Sequence, residues 1–168
     1  HNVPNEFIEE VFLEMDANPA PDWREKSGVL IKNKRVVLPE TLKRIWKDGE
    51  YRVFISHKAE FKTEASQLKI KLGVYGISSF IAHEDIHPTT EWQDEIEGAL
   101  SSMDALVALL TDEFHDSNWT DQEVGFAFGI GVPIISIKLG KDPYGFIGKF
   151  QALSCPWDST AKEIVNLL

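Results

Sequence analysis

Four short apolar runs, separated by helical patterns, constrain this chain more than any other feature. They are Tyr51-Arg52-Val53-Phe54-Ile55, Ile77-Ser78-Ser79-Phe80-Ile81, Ala105-Leu106-Val107-Ala108-Leu109-Leu110 and Val132-Pro133-Ile134-Ile135-Ser136-Ile137. Strands that are apolar on both faces need cover on both sides, and the intervening lengths suit crossover helices. Ala65, Leu68 and Leu72 recur at three- and four-residue steps before Gly73 and Gly76. Trp92, Ile96, Ala99 and Leu100 do the same after Pro88-Thr89-Thr90, and a third helix follows Trp119. Right-handed crossovers then predict an α/β fold, a flavodoxin-like doubly wound parallel sheet in the order 2-1-3-4-5. The fifth strand is faint and is assigned to Gln151-Ala152-Leu153.

The first 48 residues differ in character. Phe7, Ile8, Val11, Phe12 and Met15 mark a short amphipathic helix, and Val29-Leu30-Ile31 and Val36-Val37-Leu38 flank Lys32-Asn33-Lys34-Arg35 as a small hairpin. Pro39-Glu40 opens another helix toward Trp46. The expectation is a small N-terminal helix and hairpin extension over residues 1–48, too small for a core of its own, joined to a main domain over residues 49–168.

Charge and composition exclude several function classes. A net charge of -10 and a pI near 4.9 argue against nucleic acid, whose phosphates this surface would repel. No apolar run approaches the about 20 residues needed to span a bilayer, and no secretion-type segment opens the chain. The single cysteine, Cys155, cannot form an internal disulfide, and no His or Cys spacing suits zinc. A cytoplasmic setting is expected, with no metal and no membrane partner.

Ligands of doubly wound sheets bind beyond the carboxyl ends of the strands, near the switch in strand order. Here those ends carry Ser56-His57-Lys58, Ala82-His83-Glu84-Asp85 and Thr111-Asp112-Glu113-Phe114. The last leads into Ser117-Asn118-Trp119-Thr120-Asp121-Gln122-Glu123. On a helix Trp119 and Glu123 lie on the same side, with roughly 6 Å between Cβ atoms. A carboxylate beside an aromatic platform suits a nucleotide sugar. Val124 to Ile130 carry no charge, which predicts a helix buried along most of its length with Glu123 at the rim of the core. Plainer readings stand beside these: a solvated glutamate favoured by the helix dipole, a packing tryptophan, and a merely polar loop at His83 to His87.

Val53-Phe54-Ile55-Ser56-His57, Phe80-Ile81 before an acidic loop, Trp92 to Leu100, and Trp119 to Glu123 together resemble a bacterial-type Toll/interleukin-1 receptor (TIR) domain. The resemblance runs from about Tyr51 to the C-terminus. It implies one of two behaviours, cleavage of NAD at the nicotinamide glycosidic bond or assembly without chemistry. For the first, it implies Glu123 as the catalytic residue, with NAD as substrate and no further cofactor. Trp119, Phe54, Ser56, His57, Lys58 and Asp85 would meet the substrate, and the loop over 82–91 would govern access and assembly. The resemblance further implies ADP-ribose or a cyclic or conjugated product, a role in antiphage defence, self-association and a sensor or effector partner. The alternatives are a non-catalytic interaction module and, from a different enzyme class, a nucleoside deoxyribosyltransferase-like protein. Arg52 and Pro88-Thr89 depart from the family pattern, and Phe150 and Trp157 match its third motif only loosely.

Overall fold

In the computed structural model, which describes residues 39–82 and 92–168, the four apolar runs form strands. They are β1 (Tyr51–Ser56), β2 (Ile77–Phe80), β3 (Ala105–Thr111) and β4 (Ile134–Leu139). Their pairings are parallel, in the order β2-β1-β3-β4. The described helices are α1 (Pro39–Ile45), α2 (Lys62–Gly73), α3 (Trp92–Ser102), α4 (Thr120–Ile130) and α5 (Thr160–Leu167). None of them is long and apolar enough to cross a membrane.

The two-residue period of a strand sorts its side chains between two cores. Val53 and Ile55 of β1, with Ala105, Val107 and Leu109 of β3, pack on Ala65, Leu68 and Leu72 of α2 and on Ala161 and Ile164 of α5. Their neighbours Phe54, Leu106, Ala108 and Leu110 face the other way, onto Ile96, Ala99 and Leu100 of α3 and Val124 and Ala127 of α4. Each fully buried Phe or Leu contributes about 1.5–3 kcal/mol, so both helical layers hold the sheet.

Two expectations need correction. In place of a fifth strand, Leu153 makes a single parallel bridge with Ile137. Its N–H donates to Ser136 O and its carbonyl accepts from Lys138 N–H, each at 2.8 Å. The fifth position of the expected order is therefore occupied by one residue rather than a strand. The second correction concerns α4, which is not buried along most of its length. Thr120, Glu123, Val124 and Ala127 face inward at three- and four-residue steps, while Phe126, Phe128 and Ile130 are exposed. An unbroken apolar run still winds around a helix, so only one stripe of it can meet the sheet.

The helix begun by Pro39 packs against α3, and Trp46 just after it enters the core. The Trp46 indole N–H donates to Ser102 Oγ at 2.8 Å, and its ring lies 6.1 Å from that of Phe80. Lys47 N–H donates to Ser78 Oγ at 3.0 Å, tying the same segment to β2. The amphipathic helix and hairpin expected before Pro39 lie outside the described residues, as does the acidic loop with Asp85. Trp46→Ala is expected to cost about 3–5 kcal/mol of unfolding free energy, measured by urea denaturation. A midpoint equal to wild type would show that this segment is no part of the core.

Candidate functional site

Strand parity places Ser56. It closes β1 two residues after Phe54, so it points to the α4 side of the sheet, in register with Ala108 of β3, whose methyl takes little room. Helix α4 is set by its first residue. The Thr120 hydroxyl, itself buried, donates to the carbonyl of buried Phe114 at 2.5 Å. Three residues on, Glu123 falls in the inward stripe. Its N–H bonds the Trp119 carbonyl at 2.9 Å, the first helical hydrogen bond of α4. At the other end Gly131 takes the left-handed conformation (φ 76°) and donates to Ala127 and Phe128, which stops the helix.

Parity and stripe bring two polar side chains together at the carboxyl end of β1. Ser56 Oγ donates to Glu123 Oε2 at 2.5 Å. Ser56 is 1% exposed and Glu123 4%. Burial pushes the Glu123 carboxyl up to about 7, with the Ser56 hydroxyl pulling the other way. A hydrogen bond donated to a carboxylate favours its charged form, and desolvation opposes that form. The carboxyl therefore changes charge around neutral pH and can stabilise a nearby cation from inside a poorly hydrated site.

The other expected residues fall into separate groups. His57 is buried, with Nδ1 2.6 Å from the Lys58 carbonyl; the carbonyl can only accept, so Nδ1 carries the proton in that bond. Lys58 reaches from the exit of β1 to the exit of β3, where its ammonium meets Glu113 at 2.6 Å, while Glu60, just after it on the β1 side, lies at 3.7 Å. Glu113 holds the Lys58 ammonium above its ordinary range, and Lys58 holds the Glu113 carboxyl below its own. Trp119 precedes α4 and is 36% exposed, unlike the buried Glu123 one turn on. Phe54 lies wholly inside the core, its ring 5.4 Å from that of Phe80, and presents no surface to a ligand. Phe54 shares the α4 face with Ser56, and it sits two residues deeper along the strand.

Several features escaped sequence reading. The parity of β1 and the spacing of Thr120, Glu123, Val124 and Ala127 put Ser56 and Glu123 each on an inward face, and the seating of α4 on the sheet brings the two together. The bridge from Lys58 to Glu113 had no such signal, because it joins loops 55 residues apart. Neither did the bond from Tyr144 to Asp121, which, after burial, raises the phenol's pKa. A second buried acid, Glu95 on α3, was also unremarked. A cleft of about 370 Å³ lies past β4, lined by Lys138, Asp142, Phe150 and Ser154 among others, and includes neither Ser56 nor Glu123.

The raised Glu123 carboxyl has a stability consequence. Between the ordinary carboxyl pKa and about 7 the folded chain holds a proton there that the unfolded chain has released. Its contribution is therefore complete at low pH and is lost as pH rises through about 7. The shift corresponds to about 3 kcal/mol. Glu123→Gln should leave stability at pH 5 nearly unchanged and raise it at pH 8, measured by urea titration at both values. Equal changes at the two pH values would contradict this.

Comparison with known proteins agrees with the geometry. The family model described as TIR domain matches residues 53–166. Among solved structures, the TIR domain of the Toll-related receptor TRR-2 from Hydra magnipapillata is 21% identical with a TM-score of 0.56, covering 68% of this chain and 93% of that one. That likeness concerns the fold. A search of curated proteins found no match.

Proposed function

This chain belongs to the TIR domain family, and from that premise we propose that it cleaves NAD at the nicotinamide–ribose bond with Glu123 as the catalytic carboxylate. The observation that carries the reading is a carboxylate buried beside the carboxyl end of β1, held by a hydroxyl and changing charge near neutrality. Nicotinamide departs as a neutral pyridine, so no second carboxyl is needed to protonate a leaving oxygen, unlike ordinary glycoside hydrolysis. As the bond breaks, positive charge develops on the ribose, and the Glu123 anion stabilises it electrostatically where water is excluded. The cationic nicotinamide of the bound substrate favours the ionised carboxylate in turn.

Around this centre, Trp119 offers a partly exposed ring for stacking. Lys58 offers an ammonium to the pyrophosphate, exchanging Glu113 for it. His57 supports the turn in which Lys58 sits, and Asp85 with the loop over 82–91 is assigned to substrate access. Capture of the ribosyl cation by water gives ADP-ribose; capture by an adenine nitrogen or a ribose hydroxyl gives a cyclic product. Such an activity, in the cytoplasm, suits NAD depletion or ADP-ribose signalling in bacterial antiphage defence, under a sensor or effector partner.

One observation favours a second reading, a module that assembles with copies of itself. The exposed rings of Phe128 and Phe146 stack at 4.9 Å, with Phe150 and Ile130 also exposed. Surface apolar groups of this kind mark interaction sites.

Nicotinamide release from NAD, followed by liquid chromatography and mass spectrometry, tests the first reading. Wild type should turn over with kcat/KM rising with pH through about 7, and Glu123→Gln should lose about 100-fold or more. Full activity in Glu123→Gln would remove the assignment. Sedimentation across a range of concentrations tests the second: assembly weakened by Phe146→Ser without NAD turnover supports it, and a monomer at every concentration removes it.

A further inference from the structure

We propose that Ser56 is a positioning residue: its hydroxyl fixes the Glu123 carboxylate in one orientation, occupying Oε2 so that Oε1 faces the ribose. This rests on the reading of Glu123 as the catalytic residue and assigns Ser56 away from the substrate contact that its place at a strand end suggested.

The geometry carries it. At 2.5 Å the bond lies at the short end for an O–H donor and a carboxylate acceptor. The two residues are 67 apart in sequence and belong to β1 and α4, so the bond pins a helix side chain to the sheet. Ser56 is buried, and its hydroxyl hydrogen is committed to Glu123 inside the protein. A glutamate has three rotatable side-chain bonds, and its terminal torsion is broad, so an unanchored carboxylate samples several orientations. One donor to one oxygen removes that freedom before substrate arrives, and preorganised charge is what electrostatic stabilisation of a cation requires.

The neighbouring charges do not duplicate the role. Lys58 is held by Glu113, and Asp121, on the same turn of α4, accepts from Tyr144. His57, next to Ser56, directs Nδ1 to the Lys58 carbonyl. Glu95 lies buried on α3, which packs against α4, and an ionised carboxylate accepts hydrogen bonds without donating them. Burial raises the Glu123 carboxyl and the Ser56 hydroxyl lowers it, so removing the hydroxyl moves titration further up.

The test uses the full chain, labelled with ¹³C at glutamate carboxyls, with the Glu123 signal identified by its loss in Glu123→Gln. For Ser56→Ala the expected results are an upward shift of the Glu123 titration, a matching upward shift of the acid limb of kcat/KM, and kcat reduced about tenfold or more with KM little changed. Ser56→Cys, a weaker donor, should move each quantity in the same direction by less, and it takes the place of the alanine variant if that variant does not fold. A raised KM with unchanged titration and kcat would make Ser56 a substrate contact and overturn the proposal. Unchanged titration and kinetics would overturn it equally. Wild type inert toward NAD, with titration still shifted in Ser56→Ala, would instead refute the cleavage reading and leave the pairing of the two side chains standing.

Discussion

Two helical layers bury the parallel sheet on both faces, so polar groups can reach a ligand in one direction only, along the strands and out of their carboxyl ends. Most of the functional candidates obey that constraint. Ser56, His57 and Lys58 leave β1 there, Glu113 leaves β3 there, and α4 starts there after the turn through Phe114. The central strand β3 is Ala-Leu-Val-Ala-Leu-Leu-Thr, with all but its last residue buried, and elsewhere, Ser56 apart, the buried polar groups of the sheet are the small hydroxyls of Ser78 and Ser79 on β2 and Ser136 on β4. Chemistry is confined to the rim because the core does not tolerate it.

Glu123 is the exception that tests this rule, since it sits inside the boundary. Burying an ionised carboxyl without compensation is costly, and one hydroxyl offsets only part of that. The outcome is a group whose charge is poised near neutral pH rather than fixed. The stability lost by keeping an acid there is the kind of conflict expected where a site has been arranged for reactivity rather than for packing. A module that only assembles has no evident use for the same buried acid.

Strand existence and the two helical crossovers between β1, β2 and β3 were legible from apolar runs and helical spacing, and the strand order followed from right-handed crossovers in a doubly wound sheet. The end of the sheet was less so. Gln151-Ala152-Leu153 has the apolar character of a strand only at Leu153, and Leu153 alone pairs with β4. The exposure of Phe126, Phe128 and Ile130 was misread from composition, since an uncharged helix need not be a buried one. Phe54 is close to Ser56 in sequence yet lies wholly inside the core, because nearness in sequence says nothing about depth along the strand.

The amino-acid sequence by itself determined the α/β class, the parallel sheet and the segments that meet at the strand ends, because these depend on periodicity and residue chemistry over short distances. Tertiary structure alone decided that Ser56 faces Glu123 rather than solvent, that Lys58 is spanned by Glu113, and that Trp119 stays partly exposed while the acid one turn later is enclosed. Those facts depend on how a helix is rotated and seated against a sheet. That seating is set by the sum of many apolar contacts and by single long-range hydrogen bonds, such as Ser56 to Glu123, that no local pattern encodes.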